Sequence, residues 1–140
     1  VKVILHNNGT ATAIFPGATL GNSYYIALKH RNHMETWSAS PVTFSATNSY
    51  DFTSSVSSAY DDGVNAPMKS VSGGKFAMYA GDVNQDGTID LFDLLDTEND
   101  ASNFIGGYNA TDVNGDSVSD LFDLLLIENN TTLFIFVAHP

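Results

Sequence analysis

Two twelve-residue frames, beginning at Asp82 and at Asp112, carry oxygen-bearing side chains at positions 1, 3, 5, 9 and 12. In the first frame these are Asp82, Asn84, Asp86, Asp90 and Asp93. In the second they are Asp112, Asn114, Asp116, Asp120 and Asp123. This spacing suits a tight loop that turns alternate side chains inward. Position 7 then offers a backbone carbonyl (Thr88 or Val118), and position 12 reaches back from the first turn of a helix. An all-oxygen donor set selects a hard cation. Six or seven donors in a flexible loop favour Ca²⁺ over Mg²⁺, which demands octahedral geometry and keeps its waters. Two Ca²⁺ sites are therefore expected. Gly87 supplies the sharp turn at position 6 of the first frame, where the second has Ser117, strained if φ must be positive. Ser119 also replaces Ile89 at position 8, so the second site is expected to be the weaker.

The frames belong to a longer internal duplication at an offset of 30 residues. Asp82 to Leu95 aligns with Asp112 to Leu125, Glu98-Asn99 with Glu128-Asn129, and Phe104-Ile105 with Phe134-Ile135. Each loop leads into a helix. Leu91, Leu94 and Leu95, and likewise Leu121, Leu124 and Leu125, fall on one face at i, i+3, i+4 spacing, which reads as a core-facing stripe. Phe92 and Phe122 lie off that stripe. They read as a second packing face against the rest of the chain or as an exposed partner patch.

The paired Asp-Val-Asn-x-Asp loops, each followed by a helix with Asp at position 12, resemble a type I dockerin over residues 81 to about 130. Gly81-Asp82-Val83-Asn84-Gln85-Asp86-Gly87 matches its opening. The resemblance implies an EF-hand lacking its entering helix, folding on calcium, and docking onto a cohesin that tethers a secreted enzyme to a scaffold or cell surface. Loop positions 10 and 11 select the cohesin in that family. Here they are Leu91-Phe92 and Leu121-Phe122 in place of small polar residues, so these four side chains are the candidate partner contacts.

Charge sharpens the cation reading. The 140 residues hold 16 acids and 5 bases, a net −11. All the bases (Lys2, Lys29, Arg31, Lys69, Lys75) precede residue 81, against four acids there, while residues 81–140 carry twelve acids and no base. So dense a block of like charge ordinarily stays disordered, yet this one also holds a full set of Leu, Ile and Phe. A multivalent cation resolves the conflict. The acidic balance argues against nucleic acid as a partner. No apolar run is long enough to span a bilayer as a helix. Cysteine is absent, which excludes disulfides and thiolate metal sites.

Residues 1–80 must position these loops, and they read as β structure. Val1–His6 and Thr10–Phe15 flank the hairpin signal Asn7-Asn8-Gly9. Tyr24–His30, Glu35–Ser40, Val42–Ser45, Tyr50–Thr53 and Lys75–Ala80 are further short candidates, and residues 61–74 read as a long loop. Short strands at this spacing predict an antiparallel β-sandwich. Tyr24-Tyr25-Ile26, Lys29 to His33 and Glu35-Thr36-Trp37 resemble, more distantly, the β-sandwich modules beside dockerin-like repeats in large secreted bacterial proteins. At eighty residues the sandwich would lack strands and expose an edge open to strand addition. The apolar tail Thr131–Ala138 is expected to fold back between the halves, or else to act as a donated strand.

The residues show no catalytic constellation. His30-x-x-His33, with His6, reads as surface histidines in a polar turn. Glu35, Asp51, Asp61 and Asp62 form no specific carboxylate pair, and nucleophile, phosphate-loop and zinc-protease motifs are missing. The expected fold is α+β, an N-terminal antiparallel β-sandwich (1–80) followed by a small α-helical dockerin-like domain with two calcium loops (81–140). The expected role is a non-enzymatic calcium-binding module of a secreted or cell-surface, bacterial-type protein. Its partner would be a cohesin-like or other surface protein, or a second copy in an extracellular filament. A carbohydrate-binding module is a further alternative, with Trp37, Tyr24, Tyr25, Tyr50, Tyr60 and Tyr79 as possible platforms.

Overall fold

The structure is a computed structural model describing residues 1–140. It is an α+β arrangement of three separate two-stranded antiparallel sheets and two packed helices. β1 (Ser23–Tyr24) pairs with β4 (Val42–Thr43), β2 (Ala27–His30) with β3 (His33–Trp37), and β5 (Lys69–Val71) with β6 (Lys75–Ala77). Helix α1 spans Leu91–Ser102 and α2 spans Leu121–Thr131.

The first half is less regular than its sequence pattern predicts. Val1–His6 and Thr10–Phe15 form no strands, although the turn between them is made: His6 N–H donates to the Thr10 carbonyl and Gly9 N–H to the His6 carbonyl, both at 2.9 Å, with Gly9 at φ 79°. The flanking residues bury neither face, and a lone hairpin with nothing to cover is marginal in water. Tyr50–Thr53 is also not a strand, and residues 61–74, expected as loop, contain β5. The ladders are two to five residues long because Asn, Ser, Thr and Gly repeatedly offer the backbone local turns.

Two clusters hold the molecule. A smaller one joins Phe52, Ala59 and Met68 to Ile26, Leu28, Tyr50 and Phe76. The larger one joins Met34 and Tyr79 to Val83, Ile89, Val113, Ile127 and Ile135, so both halves of the chain build it. Hydrogen bonds run along and across the same seam. Met34 N–H donates to the Tyr79 carbonyl and Gly81 N–H to the Asn32 carbonyl, each at 2.8 Å. Asn130 Nδ2 donates to the Ala80 carbonyl at 2.7 Å. Gly81, at φ 125°, leaves no room for a side chain there: a Cβ would stand 3.1 Å from Ile89 Cγ2 and 3.3 Å from Ile127 Cγ1.

The helices do not bury the leucine stripe. Leu91, Leu95, Leu121 and Leu125 are exposed, and Leu94 and Leu124 are half-buried. The inward residues are Asp93 and Thr97 in α1, and Asp123, Ile127 and Asn130 in α2. Asp93 and Asp123 must turn inward to meet loop amides, and that requirement sets the rotation of each helix. The tail does fold back. Ile135 is buried and its carbonyl accepts from Ile89 N–H at 2.9 Å, while Val137 N–H donates to the Gly87 carbonyl at 2.8 Å.

Candidate metal centre

Asp90 and Asp120 sit immediately before α1 and α2, with extended backbone, and cap them. Their Oδ1 atoms accept from Phe92 N–H and Phe122 N–H at 2.8 Å. Asp93 and Asp123, three residues on, return the bond: each Oδ2 accepts from the backbone N–H of Asp90 or Asp120 at 2.9 Å. This reciprocal box satisfies two otherwise unpaired helix-end donors and sets carboxylates at the positive end of each helix.

The same two carboxylates close the loops. Asp93 Oδ1 accepts from Val83 N–H (2.9 Å) and Asn84 N–H (3.3 Å). Asp123 Oδ1 accepts from Val113 N–H (2.8 Å) and Asn114 N–H (3.0 Å). Inside each loop the third and fifth residues make linked Asx turns. Asn84 Oδ1 accepts from Asp86 N–H, and Asp86 Oδ1 from Thr88 N–H, both at 2.9 Å; Asn114, Asp116 and Val118 repeat the pattern at 2.7 and 3.0 Å. Each loop is also tied to the segment after the other helix. Thr88 lies opposite Phe136, and Val118 opposite Gly106.

The ends of both frames are buried. Asp82, Asp93, Asp112 and Asp123 are all within the interior. Burying a carboxylate is costly unless it is paired or coordinates a metal. Asp93 and Asp123 are compensated by three backbone amides each, and Asp112 by the amides of Gly115 (2.8 Å) and Ser117 (3.2 Å). Asp82 is different. It is 3% exposed and its Oδ1 has no hydrogen-bond partner. Burial, with the charges of Asp93 and Asp86 adding to it, pushes its carboxyl up to about 6, against the opposing amides of Gly87 and Asp86. Burial likewise raises the Asp93 carboxyl. No basic side chain lies against Asp82; the two ion pairs of the chain are Lys29–Glu35 and Arg31–Asp112. A buried carboxylate oxygen without a partner at position 1, with the charges of Asp86 and Asp93 near it, fits a hard divalent cation.

The remaining expected ligands line up less tightly. No three Asp, Glu or His side chains converge as a ready-made cluster. The Asx turns and helix caps account for this, since they hold Asp86, Asp90, Asp116 and Asp120 on backbone amides. Thr88 and Val118 keep the position-7 place in each loop, with their N–H groups taken by Asp86 and Asp116.

The strain assigned to Ser117 is present, at φ 74°, but it has a counterpart in the first loop. Each loop needs two left-handed residues, at positions 4 and 6. The first has Gln85 (φ 61°) and Gly87 (φ 88°), and the second Gly115 (φ 82°) and Ser117. One non-glycine residue in this conformation costs roughly 1–2 kcal/mol in either loop, so backbone strain does not rank the two sites. The two loops differ instead in the partners of their first carboxylate, Asp82 or Asp112.

The candidate partner residues Leu91, Phe92, Leu121 and Phe122 stand at the start of the two helices and are 64–66% exposed. Phe104 and Phe134 follow the helices at φ 54° and 53° and are also exposed, a matched feature of both repeats that the alignment marked without giving it a role. The histidines meet at the β2–β3 turn, where His30 Nδ1 and His33 Nδ1 are 2.9 Å apart and His33 Nδ1 lies 2.8 Å from Asn32 Oδ1. Burial, with the charges of His30 and Arg31, lowers His33 to about 4, so this ring is neutral at pH 7 and serves the turn. Comparison with protein-family models, with curated proteins and with solved structures finds no match for this chain.

Proposed function

We propose that this chain is a non-catalytic, calcium-stabilised module of a secreted or surface protein, and that it serves attachment or assembly through protein–protein contacts. The observation that carries the reading is the buried Oδ1 of Asp82, which has no hydrogen-bond partner, at the head of an Asp-x-Asn-x-Asp loop. Asp82, Asn84, Asp86, Asp90, Asp93 and the Thr88 carbonyl would hold one Ca²⁺. Asp112, Asn114, Asp116, Asp120, Asp123 and the Val118 carbonyl would hold a second. The ion supplies the positive charge that residues 81–140 lack. A cation bound only by the folded chain adds its binding free energy to stability.

Attachment is supported by the four helix-start side chains, exposed in matched pairs beside the acidic loops. They suit an apolar, base-rimmed face on a cohesin-like or other surface protein. Self-association by strand addition is the second reading. Val1, Ile4, Leu5, Ile14 and Phe15 are exposed in a segment with a formed turn but no ladder, which favours it.

Thermal melting of the full chain in excess calcium and in excess chelator tests the metal. Chelation is expected to lower the Tm by roughly 10 °C or more, given about 3–4 kcal/mol of ligand stabilisation at saturation. Superimposable melts would refute the reading. Light scattering in calcium separates its two forms, a monomer favouring a folded receptor and concentration-dependent growth favouring self-assembly.

A further inference from the structure

The turn between β2 and β3 reaches into the second loop and gives the first no charge. Arg31 Nε donates to the Asn109 carbonyl at 2.8 Å, and Arg31 Nη2 donates to the Asp112 carbonyl at 2.9 Å. The same Nη2 lies 3.6 Å from Asp112 Oδ2, and the guanidinium carbon sits 4.0 Å from the centre of the Tyr108 ring. Asn32, fully buried, donates Nδ2 to the same Asp112 carbonyl at 2.8 Å, while its own carbonyl accepts from Gly81 N–H. A two-residue turn thus grips the first residue of one loop and the residue preceding the other. The other bases are turned elsewhere: Lys29 to Glu35, Lys69 to Asn130 and Lys75 to Thr53, with Lys2 exposed near the chain start.

Resting on the calcium reading above, we infer that Arg31 is a tethered cation that makes the two loops unequal, the first being the tight site and the second the weak one. The stacking of the guanidinium on Tyr108 and its two carbonyl bonds fix where its charge lies. A divalent ion on the Asp112 carboxylate would sit within several ångströms of it and be repelled. The second loop therefore needs metal less and binds it less well. The first loop has no cation near Asp82, only backbone amides and the carboxylates of Asp86 and Asp93, and gains the full benefit of the ion. The seating of the β2–β3 turn is thereby linked to the occupancy of the second loop.

The test is calorimetric titration of calcium chloride into the metal-stripped full chain. The unaltered chain is expected to show one tight and one weaker step. Asp112→Asn is expected to remove the weaker step and keep the tight one. Arg31→Gln is expected to tighten the weaker step about tenfold, the scale of one nearby like charge in a partly solvated site, and to leave the tight step within about twofold. Arg31→Lys, which keeps the charge and loses the planar fork, is expected to stay near the unaltered chain, and it carries the test if the glutamine variant does not fold. A weaker step that Arg31→Gln leaves unchanged or weakens overturns the inference alone, as does loss of the tight step in Asp112→Asn. The absence of any saturable step in the unaltered chain overturns the calcium reading and this inference with it.

Discussion

The two loop–helix copies are nearly superposable in hydrogen bonding and differ in how they treat their first carboxylate. In the second copy Asp112 is met by two backbone amides and the Arg31 guanidinium. In the first, Asp82 is equally buried and has an oxygen that nothing meets. Geometry common to both copies maintains the loop: a helix cap, an Asx ladder and a position-12 carboxylate on backbone amides. Geometry found in one copy alone points to what that loop is missing. Duplication thus provides an internal control, in which the shared features are structural and the unshared one, the unmet Asp82 oxygen, is the observation on which the calcium proposal rests.

Substitutions can break or sharpen this contrast. The largest effect is expected where the copies agree. Asp93→Ala and Asp123→Ala each strand three amides at a buried loop–helix junction, and each is expected to cost about 3 kcal/mol or more in chemical denaturation. A large cost at one position and a negligible one at the other would break the equivalence of the copies.

A smaller and asymmetric effect is expected at the glycines. A Cβ on Gly87 would stand 2.9 Å from Val137 Cγ1 as well as at φ 88°, whereas Gly115, at φ 82°, faces open space. Gly87→Ala is expected to cost about 2–3 kcal/mol and Gly115→Ala about 1 kcal/mol, from strain alone. Equal melting temperatures for the two variants would show that the tail does not press on the first loop. Conversely, Gln85→Gly and Ser117→Gly each relieve one left-handed residue. Both are expected to raise stability by up to about 1 kcal/mol, less the added freedom of the unfolded chain.

A further contrast lies in pH. The carboxyl of Asp82, raised to about 6, contributes stability to the metal-free chain that is fully present below the unfolded carboxylate value and lost as pH rises through about 6. His33, lowered to about 4, has the opposite slope: its contribution is present above the unfolded histidine value and lost as pH falls toward about 4. The two slopes oppose each other between these values, so the useful quantity is the difference between the unaltered chain and Asp82→Asn. In chelator that difference is expected to shrink as pH is lowered from 7.5 to 5. A difference flat in pH would remove the assigned role of the Asp82 charge.

Much of the candidate site was legible in the sequence. The twelve-residue frame located the loops, and Asp93 and Asp123 at position 12 marked the first turns of α1 and α2. The 30-residue offset anticipated the paired Phe104 and Phe134. The helix rotation was not legible, because apolar spacing pointed to Leu91, Leu94 and Leu95, whereas the amides held by Asp93 decide which way the helix faces. Gln85 was not legible either, since its positive φ follows from the fourth loop position and not from its residue type. The role of Arg31 and Asn32 depends on contacts with residues about eighty positions away, which no local pattern encodes. In the first half, the turn at Asn7-Asn8-Gly9 was readable, but the strands beside it were not made, because pairing needs a surface to cover and residues 1–14 are exposed throughout, with Phe15 alone set against a ring, that of Phe44.

The central claim is that the Asp82 carboxylate is a cost to the metal-free chain and an asset to the calcium-bound one. It is tested most directly by the melting temperature of Asp82→Asn at pH 7.5, in chelator and in calcium. The variant is expected to melt higher than the unaltered chain in chelator, by the equivalent of about 1–2 kcal/mol once solvent screening is allowed for. In calcium it is expected to melt lower. A variant that melts lower in both conditions by the same margin would show that Asp82 is only a structural carboxylate, and would contradict the account.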